Sequence, residues 1–278
     1  MERMKETIKN CGAADVGFLA FDDCEIINQR LKNSINFQPR TVVLGIVPYY
    51  TPFCDESRKV SAYALAHDYH LLLRQICERA VSELKAVYPE YNFMPFGDHS
   101  PINEKLAAAK AGLGIIGDHS LLITERYSSF VFIFEIITDM ELDVPAGEIK
   151  NCDHCGACKA VCPADFTDKK SCVSAITQKK GDLTESEAEL IKKTDCAWGC
   201  DLCQLVCPHT LKARKEKTIY SDSIWFNSNI VKEPNAQTVA DTDDFCLRAY
   251  SWRGESTILR NIALLDEKSN SKDGEDIQ

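Results

Sequence analysis

The segment that decides the fold is NCDHCGACKAVCP, residues 151–163, which is repeated in shortened form as GCDLCQLVCP, residues 199–208. The cysteines follow the spacing C-x2-C-x2-C-x3-C-P in the first run and C-x2-C-x3-C-P in the second. This spacing is typical of bacterial 4Fe–4S proteins, in which three cysteines of a run bind one cluster and the fourth binds its neighbour. The two runs therefore predict a ferredoxin-like domain with two 4Fe–4S clusters.

The crossed pattern assigns each cysteine of the two runs to one of two clusters. The first cluster is assigned four ligands: Cys152, Cys155, Cys158 and Cys207. The second is assigned three and needs a fourth: Cys162, Cys200 and Cys203. Both Cys172 and Cys196 are candidates for that fourth place, and sequence spacing alone does not choose between them.

Zinc is the alternative metal, because paired C-x2-C motifs also bind zinc. A zinc site needs only four thiolates, so it requires neither the triply spaced run nor the two Cys-Pro endings. Nine of the 14 cysteines lie between Cys152 and Cys207, which favours iron–sulfur. The other five are predicted to be small, buried apolar side chains: Cys11, Cys24, Cys54, Cys77 and Cys246.

The 278-residue chain has a globular composition, 45% hydrophobic and 27% charged, with a net charge of −10. That acidic balance argues against a general nucleic-acid coat protein but is compatible with a local basic patch. The sequence shows no secretion signal and no apolar run long enough to span a membrane. The sequence therefore predicts a cytoplasmic protein, in which cysteines are kept reduced rather than paired as disulfides.

Hydrophobic periodicity predicts a mixed helix and sheet domain ahead of the cysteines. Strand patterns occupy residues 14–21, 41–50, 120–124 and 130–138, and helical patterns occupy residues 24–33, 60–88 and a stretch opened by Pro101. Later helices are predicted over residues 183–194, with a capping box of Thr184 and Glu187, and over residues 256–265. The expected order is an α/β (α+β) N-terminal domain (1–148), the double-cluster domain (149–212), a short helical C-terminus packing on the core (213–266) and a disordered tail (267–278).

Candidate chemistry outside the cysteines lies in FGDHSPINEKLAAAKAGLGIIGDHSLLIT, residues 96–124. Asp98 follows a glycine and precedes a helix, where a carboxylate serves either as a helix cap or as a proton donor at the mouth of a pocket. The glycines of GLGIIG do not match the dinucleotide-binding pattern G-x-G-x-x-G.

From about residue 12 to residue 265 the sequence resembles the epoxyqueuosine reductase family. The resemblance is carried by DVGF, VLGIVPYY, YALAHDYH, the 96–124 segment, SCVSAIT, GCDLCQLVCP and LRNIALL. It implies an N-terminal cobalamin-binding domain and an oxidoreductase that removes the epoxide oxygen of epoxyqueuosine in tRNA. Electrons would pass through the two clusters to cobalamin, with Asp98 as the catalytic proton donor. The resemblance also implies Cys172, rather than Cys196, as the fourth ligand of the second cluster.

The resemblance implies cofactor contacts and partners as well. The cobalamin contacts would be Tyr63, Asp98, Leu122, Ile133 and Ser174, with ordinary core packing as the alternative for the apolar two. The partners would be a tRNA anticodon stem-loop and a reduced flavodoxin or ferredoxin as electron donor, with no membrane, and we expect a monomer. Basic residues that suit tRNA phosphates, or simply a solvated helix face, are Lys212, Arg214, Lys215, Lys217, Arg248, Arg253 and Arg260.

The sequence also departs from the family pattern. A D-T-G-P or D-S-A-P loop is replaced by residues 98–101, DHSP, and the usual Lys-Asn or Lys-His after the last glycine is replaced by Asp118-His119. Many members carry a C-terminal helical-repeat domain that helps to grip tRNA, and we expect a short form without it. The alternative hypotheses are a cobalamin-dependent reductase of a small molecule, such as a nucleoside or organohalide, and a non-catalytic ferredoxin-type electron carrier that needs no Asp98.

Overall fold

The computed structural model describes residues 1–144 and 147–273, with side chains up to residue 268. Its contacts group the chain into two compact units that alternate along the sequence. The first unit contains Met1–Tyr49, His70–Gly156 and Pro208–Tyr220, and the second contains Tyr50–Tyr69, Ala157–Cys207 and the residues from Ser221 onward. Residues 149–156 and 208–212, which the sequence groups with the cysteine domain, thus belong to the first unit.

The strands lie in the first unit and form two sheets. They are β1 (Asp15–Ala20), β2 (Thr41–Pro48), β3 (Phe93–Gly97), β4 (Ile115–Ile116), β5 (Leu122–Ile123) and β6 (Val131–Thr138). The larger sheet has the order β1-β2-β6-β3, and β4 pairs with β5. Every one of these pairings is antiparallel. The mixed helix and sheet class is confirmed, and the antiparallel sheet makes it the α+β variant.

The helices are spread over both units. They are α1 (Glu2–Asn10), α2 (Gln29–Asn33), α3 (Tyr69–Val87), α4 (Glu104–Lys110), α5 (Ala157–Val161), α6 (Val173–Thr177), α7 (Glu185–Thr194), α8 (Leu202–Leu205), α9 (Pro208–Lys215), α10 (Ala236–Ala240), α11 (Thr242–Phe245) and α12 (Glu255–Asp273). None of the helices in the described ranges is both long and apolar enough to cross a bilayer.

The core of the first unit lies between the larger sheet and α4. All eight residues of β2 are buried, as its continuous apolar pattern predicts for a strand covered on both faces. Three consecutive alanines of α4, Ala107, Ala108 and Ala109, are buried in the same cluster as Val42 and Leu44 of β2. Their small side chains let the helix approach the sheet closely, and this fixes the position of the loop that precedes α4.

Two predicted helices begin later than the sequence indicated. Residues 24–33 give only α2, because the Asn28 side chain accepts a hydrogen bond from the Leu31 backbone N–H at 3.1 Å and so caps the helix there. The helix expected from Pro101 begins at Glu104, behind a second asparagine cap at Asn103.

The predicted helix over residues 60–88 is α3 alone, starting at Tyr69. The preceding residues have other backbone partners: the Ser61 N–H donates to the Trp198 carbonyl at 2.7 Å, and Ala62–Ala64 forms a 3-10 turn. Helical spacing of apolar residues did not reveal these long-range hydrogen bonds, so the predicted start was wrong.

The second unit is mainly helical. The predicted capping box at the start of α7 is confirmed, with Thr184 and Glu187 bonding each other's backbone N–H groups. The buried Asn261 side chain of α12 donates to the carbonyls of Thr177 and Ala197, each at 2.8 Å. Helix α12 continues to Asp273, so the disordered tail expected from residue 267 is wrong as far as residue 273, and residues 274–278 lie outside the described ranges.

Candidate active site and cluster ligands

Four predicted ligands of the second cluster lie close together in the second unit. Burial raises the pKa of the Cys203 thiol to about 12, and the neighbouring thiols of Cys200 and Cys172 raise it further. Burial likewise raises the pKa of Cys200 to about 11, with smaller contributions from Asp201, Cys172 and Cys162. A thiol that raises the pKa of another lies near it, so Cys172 and Cys162 are neighbours of Cys200, and Cys172 is also a neighbour of Cys203. A metal centre bound there would convert such thiols to thiolates.

Cys196 has a different environment from Cys172. Its Sγ–H donates to the Trp198 carbonyl at 3.3 Å, and burial raises its pKa to about 12. Cys172 is exposed and stands at the N-cap of α6, where its side chain makes no capping hydrogen bond. Of the two candidates for the fourth ligand, Cys172 is the one that raises the pKa of both Cys200 and Cys203.

The cysteines predicted for the first cluster fall in both units. Cys158 and Cys207 are buried in the second unit, where α5, which carries Cys158, packs against α8. Cys152 and Cys155 belong to the first unit. The Cys152 N–H donates to the carbonyl of Ile116 at 2.9 Å, which fixes this cysteine beside β4.

The five other cysteines follow the prediction only in part. Cys11, Cys54 and Cys77 are buried, and Cys24 is half-buried. Cys246 is exposed, contrary to the prediction, because it caps the end of the four-residue helix α11, where its Sγ–H donates to the Asp243 carbonyl at 3.2 Å.

A buried ion pair that the sequence analysis missed holds the loop between Cys200 and Cys203. Asp201 is 6% exposed and accepts hydrogen bonds from the Arg58 guanidinium at 2.8 Å, the Ala62 N–H at 2.7 Å and the Ser61 hydroxyl. Gly199 has a φ of +79°, and a Cβ there would collide with Ser61. The short loop is therefore fixed against residues 58–62 by charge-assisted hydrogen bonds.

Of the predicted cobalamin contacts, Tyr63 and Ser174 meet in the second unit. The Gln178 side-chain amide lies 3.4 Å from the Tyr63 hydroxyl and 3.4 Å from the Ser174 hydroxyl. Leu122 and Ile133 belong to the hydrophobic core of the first unit and are only 2% and 6% exposed, as expected for ordinary packing.

Asp98 stands directly after β3 in the left-handed backbone region, with a φ of 62°. Its Oδ2 lies 2.9 Å from Nε2 of His70 on α3, and its side chain is 52% exposed. The cap of α4 is Asn103, so the helix-capping alternative for Asp98 is wrong. Aspartate tolerates the left-handed region better than most residues, and here that conformation leaves a carboxylate half open to solvent.

Two further carboxyl groups face Asp98, and the sequence analysis did not identify either of them. Burial raises the pKa of Glu135 on β6 to about 8, and Glu104 and Asp98 raise it further. Burial raises the pKa of Glu104 to about 7, with a further contribution from Asp98. The sequence contained one indication of a buried carboxyl group: Glu135 is the single acidic residue inside the apolar run FVFIFEII.

Asp118 and His119, which replace the family's usual Lys-Asn or Lys-His, differ in their surroundings. Asp118 Oδ1 lies 2.6 Å from His154 Nδ1, and these two residues with Cys152 bring potential ligand atoms within 4.8 Å of one another. His119 faces inward, where burial lowers its pKa to about 4. The acidic residue at position 118 thus pairs with the histidine between the first two cysteines.

The predicted basic residues differ in their exposure to solvent. Arg248 is 3% exposed and its guanidinium is bound by Asp244 at 2.8 Å, so it is unsuited to phosphate binding, contrary to the prediction. Lys212 and Lys215 of α9 are exposed. A cavity of about 560 Å³ in the first unit adjoins α9 and is lined in part by Lys110, Lys150, His209 and Lys212.

Comparison with known proteins places these features in a family. No family model matches the chain. An epoxyqueuosine reductase of Leadbetterella byssophila is 30% identical over 238 residues, covering 83% of this chain and 76% of the relative. The epoxyqueuosine reductase of Cellulophaga algicola is 30% identical over 227 residues, covering 72% of this chain and 74% of the relative. The enzyme of Salmonella typhimurium is 37% identical over 156 residues, but the match spans only 40% of that protein.

Solved structures share the fold. An epoxyqueuosine reductase from Streptococcus thermophilus superposes with a TM-score of 0.78 at 21% identity, covering 96% of this chain and 80% of that one. A structure of epoxyqueuosine reductase with an epoxyqueuosine-modified tRNA-Tyr stem loop gives a TM-score of 0.77 at 20% identity, covering 95% and 80%. The catabolic reductive dehalogenase NpRdhA gives 0.50 at 15% identity, covering 78% and 34%. With its fold shared and its sequence 30% identical over most of the Leadbetterella and Cellulophaga enzymes, this chain belongs to the epoxyqueuosine reductase family.

Proposed function

We propose that this protein removes the epoxide oxygen of epoxyqueuosine in tRNA, giving queuosine. The observation that carries the proposal is the surroundings of Asp98, a half-exposed carboxyl group held by His70. The resemblance of residues 96–124 to the family is what implies that Asp98 is the catalytic acid. Opening the epoxide and releasing its oxygen as water consumes a pair of electrons and a pair of protons. An acid at a pocket mouth supplies one of those protons in the step that breaks the carbon–oxygen bond.

The chain offers suitable ligands for two 4Fe–4S clusters. One cluster, with Cys172 as its fourth ligand, is supported by the proximity of Cys172 to both Cys200 and Cys203 and of Cys162 to Cys200. The other cluster would use Cys152, Cys155, Cys158 and Cys207, as their spacing predicts. Arg58 and Asp201 would keep the second cysteine run in place.

Only some of the residues predicted to contact cobalamin are placed where they could bind it. The Tyr63 and Ser174 hydroxyls, linked through Gln178, suit the amide-rich rim of a corrin, whereas Leu122 and Ile133 are committed to the core. When bound, the clusters carry single electrons and cobalamin supplies the strongly reducing centre. The chain itself orients the substrate, and Asp98 places its proton on the departing oxygen.

The proposed substrate is the anticodon stem-loop of a tRNA. Exposed Lys212 and Lys215, next to a cavity lined by Lys110 and Lys150, provide local positive charge on an acidic protein. We place the enzyme in the cytoplasm, acting as a monomer with a reduced flavodoxin or ferredoxin as electron donor.

The test is to purify the protein without oxygen in the presence of cobalamin and to quantify bound iron, sulfide and cobalt. About eight irons and one cobalt per chain are expected for two clusters and one cobalamin. The loaded protein is then given reductant and either epoxyqueuosine-containing stem-loop RNA or the free nucleoside. Conversion of the RNA to its queuosine form supports the proposal, and conversion of the nucleoside alone shows a small-molecule reductase.

Asp98→Asn provides the variant that tests the acid. It should keep its iron and cobalt but lose about 10²- to 10⁴-fold in turnover, the usual contribution of a positioned acid. Asp22→Asn, at another exposed aspartate, should retain full turnover. Iron without cobalt, together with no conversion of either substrate, would make the chain an electron carrier and overturn the proposal.

A further inference from the structure

The carboxyl group of Asp118 lies directly beside the first cysteine run. Its Oδ1 is 2.6 Å from Nδ1 of His154, and the potential ligand atoms of Asp118, His154 and Cys152 all lie within 4.8 Å of one another. An ionised carboxyl group only accepts hydrogen bonds, so the imidazole donates to it from Nδ1. This arrangement places a carboxylate next to the sulfur of Cys152, a candidate cluster ligand.

Backbone hydrogen bonds hold the two sides of this contact together. The Ile116 N–H donates to the Lys150 carbonyl at 2.8 Å, and the Cys152 N–H donates to the Ile116 carbonyl at 2.9 Å. The two bonds form a short parallel bridge between β4 and the start of the cysteine run. Because Asp118 follows β4 closely and His154 follows Cys152 closely, the bridge brings both side chains to the same place.

The loop between the first two cysteines of the run depends on this contact. His154 lies in that loop with a φ of 51°, in the left-handed region that residues with a side chain adopt only at a cost in free energy. The hydrogen bond from its ring to Asp118 helps to hold this conformation. Asp118 thus supports the first C-x2-C loop, as the Arg58–Asp201 ion pair supports the second.

The charge of Asp118 is not balanced by a lysine or an arginine. Within the described ranges its one ion-pair partner is His154, whose side chain is 65% exposed, whereas that of Asp118 is 31% exposed. His119, the next residue, is kept neutral by burial, which lowers its pKa to about 4. An imidazole open to water is ordinarily neutral at pH 8, so at that pH the groups beside Cys152 carry a net negative charge.

A negative charge next to a 4Fe–4S cluster makes the cluster harder to reduce. Reduction adds one electron, and so one negative charge, to a centre that four thiolates already surround. A nearby carboxylate repels the added charge, and net charge is one of the factors that set the potential of a cluster. A cluster with a lower potential passes its electron to an acceptor with a greater driving force.

We propose that the Asp118 carboxylate, held in place by His154, lowers the reduction potential of the 4Fe–4S cluster that Cys152 helps to bind. This inference rests on the proposed function only for the presence of that cluster. One electron enters the cluster from the external reduced flavodoxin or ferredoxin, and one electron leaves it. Asp118 is a positioning residue, which changes the potential of this exchange without forming or breaking a bond.

The experiment is a potentiometric titration of the anaerobic holoenzyme at pH 8, in which electron paramagnetic resonance measures the fraction of reduced cluster. Asp118→Asn should raise one of the cluster midpoints, so that the ratio of reduced to oxidised cluster at a fixed potential increases about tenfold, which is about 59 mV for a one-electron couple. Asp118→Lys should raise the same midpoint by about twice as much, because the charge changes by two units. Asp118→Glu keeps the charge and should keep the midpoint of the parent, whereas a purely structural role predicts that it moves.

The control is Glu6→Gln, which removes a negative charge from an exposed position of α1 and should move no midpoint. Midpoints that are the same in the parent, Asp118→Asn and Asp118→Lys would overturn the inference, and so would a protein that binds zinc instead of iron at the first cysteine run. If Asp118→Lys does not bind its iron, Asp118→Asn decides alone. The titration uses no substrate, so a failure to convert epoxyqueuosine would contradict the proposed function and leave this inference standing.

Discussion

Replacing Glu135 by glutamine should stabilise the protein, and increasingly so as the pH rises. Burial raises the pKa of this carboxyl from 4.5 to about 8. Between these two values the folded protein binds more protons than the unfolded chain, so the parent loses stability as the pH increases. Each pH unit in that window is worth about 1.4 kcal/mol, which gives a loss of about 5 kcal/mol by pH 8 and above. Glutamine does not ionise, so the variant does not lose this stability as the pH rises.

Burial is the main cause of the raised pKa of Glu135, but the neighbouring Glu104 raises it further, so part of the effect depends on Glu104. A gain of about 2 to 4 kcal/mol for Glu135→Gln at pH 9 relative to pH 5 is therefore expected. The assay is urea unfolding of the anaerobic holoenzyme and the variant at both pH values. If the two proteins lose stability in parallel between pH 5 and pH 9, Glu135 is not held protonated by its environment and the electrostatic reasoning fails.

Three other changes test the cluster loop and the basic surface. Cys172→Ala should lose about half of the bound iron, whereas Cys196→Ala should keep nearly all of it, as measured by iron and sulfide content. Asp201→Asn leaves the buried Arg58 without its partner and should destabilise the protein by about 3 kcal/mol in urea unfolding. The double change Lys212→Ala and Lys215→Ala should weaken binding of stem-loop RNA and lower the salt dependence of log Kd by about two.

Each of these has a matched control. Cys11→Ala removes a cysteine outside the cluster segment and should leave the iron content unchanged. Asp195→Asn disrupts the more exposed pair with Lys59 and should cost less than about 1 kcal/mol. Glu216→Gln changes the charge of the exposed residue that follows Lys215 but should not reduce the salt dependence. Equal iron in both cysteine variants would contradict the assignment of Cys172.

The sequence predicted the parts of the structure that are determined by neighbouring residues. The apolar strand β2 and the capping box of α7 depend on short-range patterns, and both are as predicted. The sheet order β1-β2-β6-β3 depends on pairing between distant segments, which no local pattern specifies. The start of α3 was misplaced for the same reason, because Ser61 binds a residue more than a hundred positions away.

The candidate site likewise combines features that local sequence patterns indicate with features that depend on distant segments. Candidate cluster ligands can be identified from sequence because the spacing of such cysteines reflects the geometry of a cluster. The Arg58–Asp201 ion pair joins residues 143 positions apart and has no motif. Sequence did not reveal Glu104 and Glu135, because a glutamate at the first turn of a helix, or within a strand, is usually exposed. Only the fold shows that Glu135 and one carboxyl oxygen of Glu104 are buried.

The hydrogen bonds of Asn261 have a consequence for the order of events during synthesis. Its side chain satisfies the carbonyl groups of Thr177 and Ala197, which lie just after Cys172 and just before Cys200. A ribosome makes all the cluster cysteines well before it reaches position 261. The loops that carry these candidate ligands therefore acquire this support only after position 261 has been made, and a cluster bound there earlier would lack it.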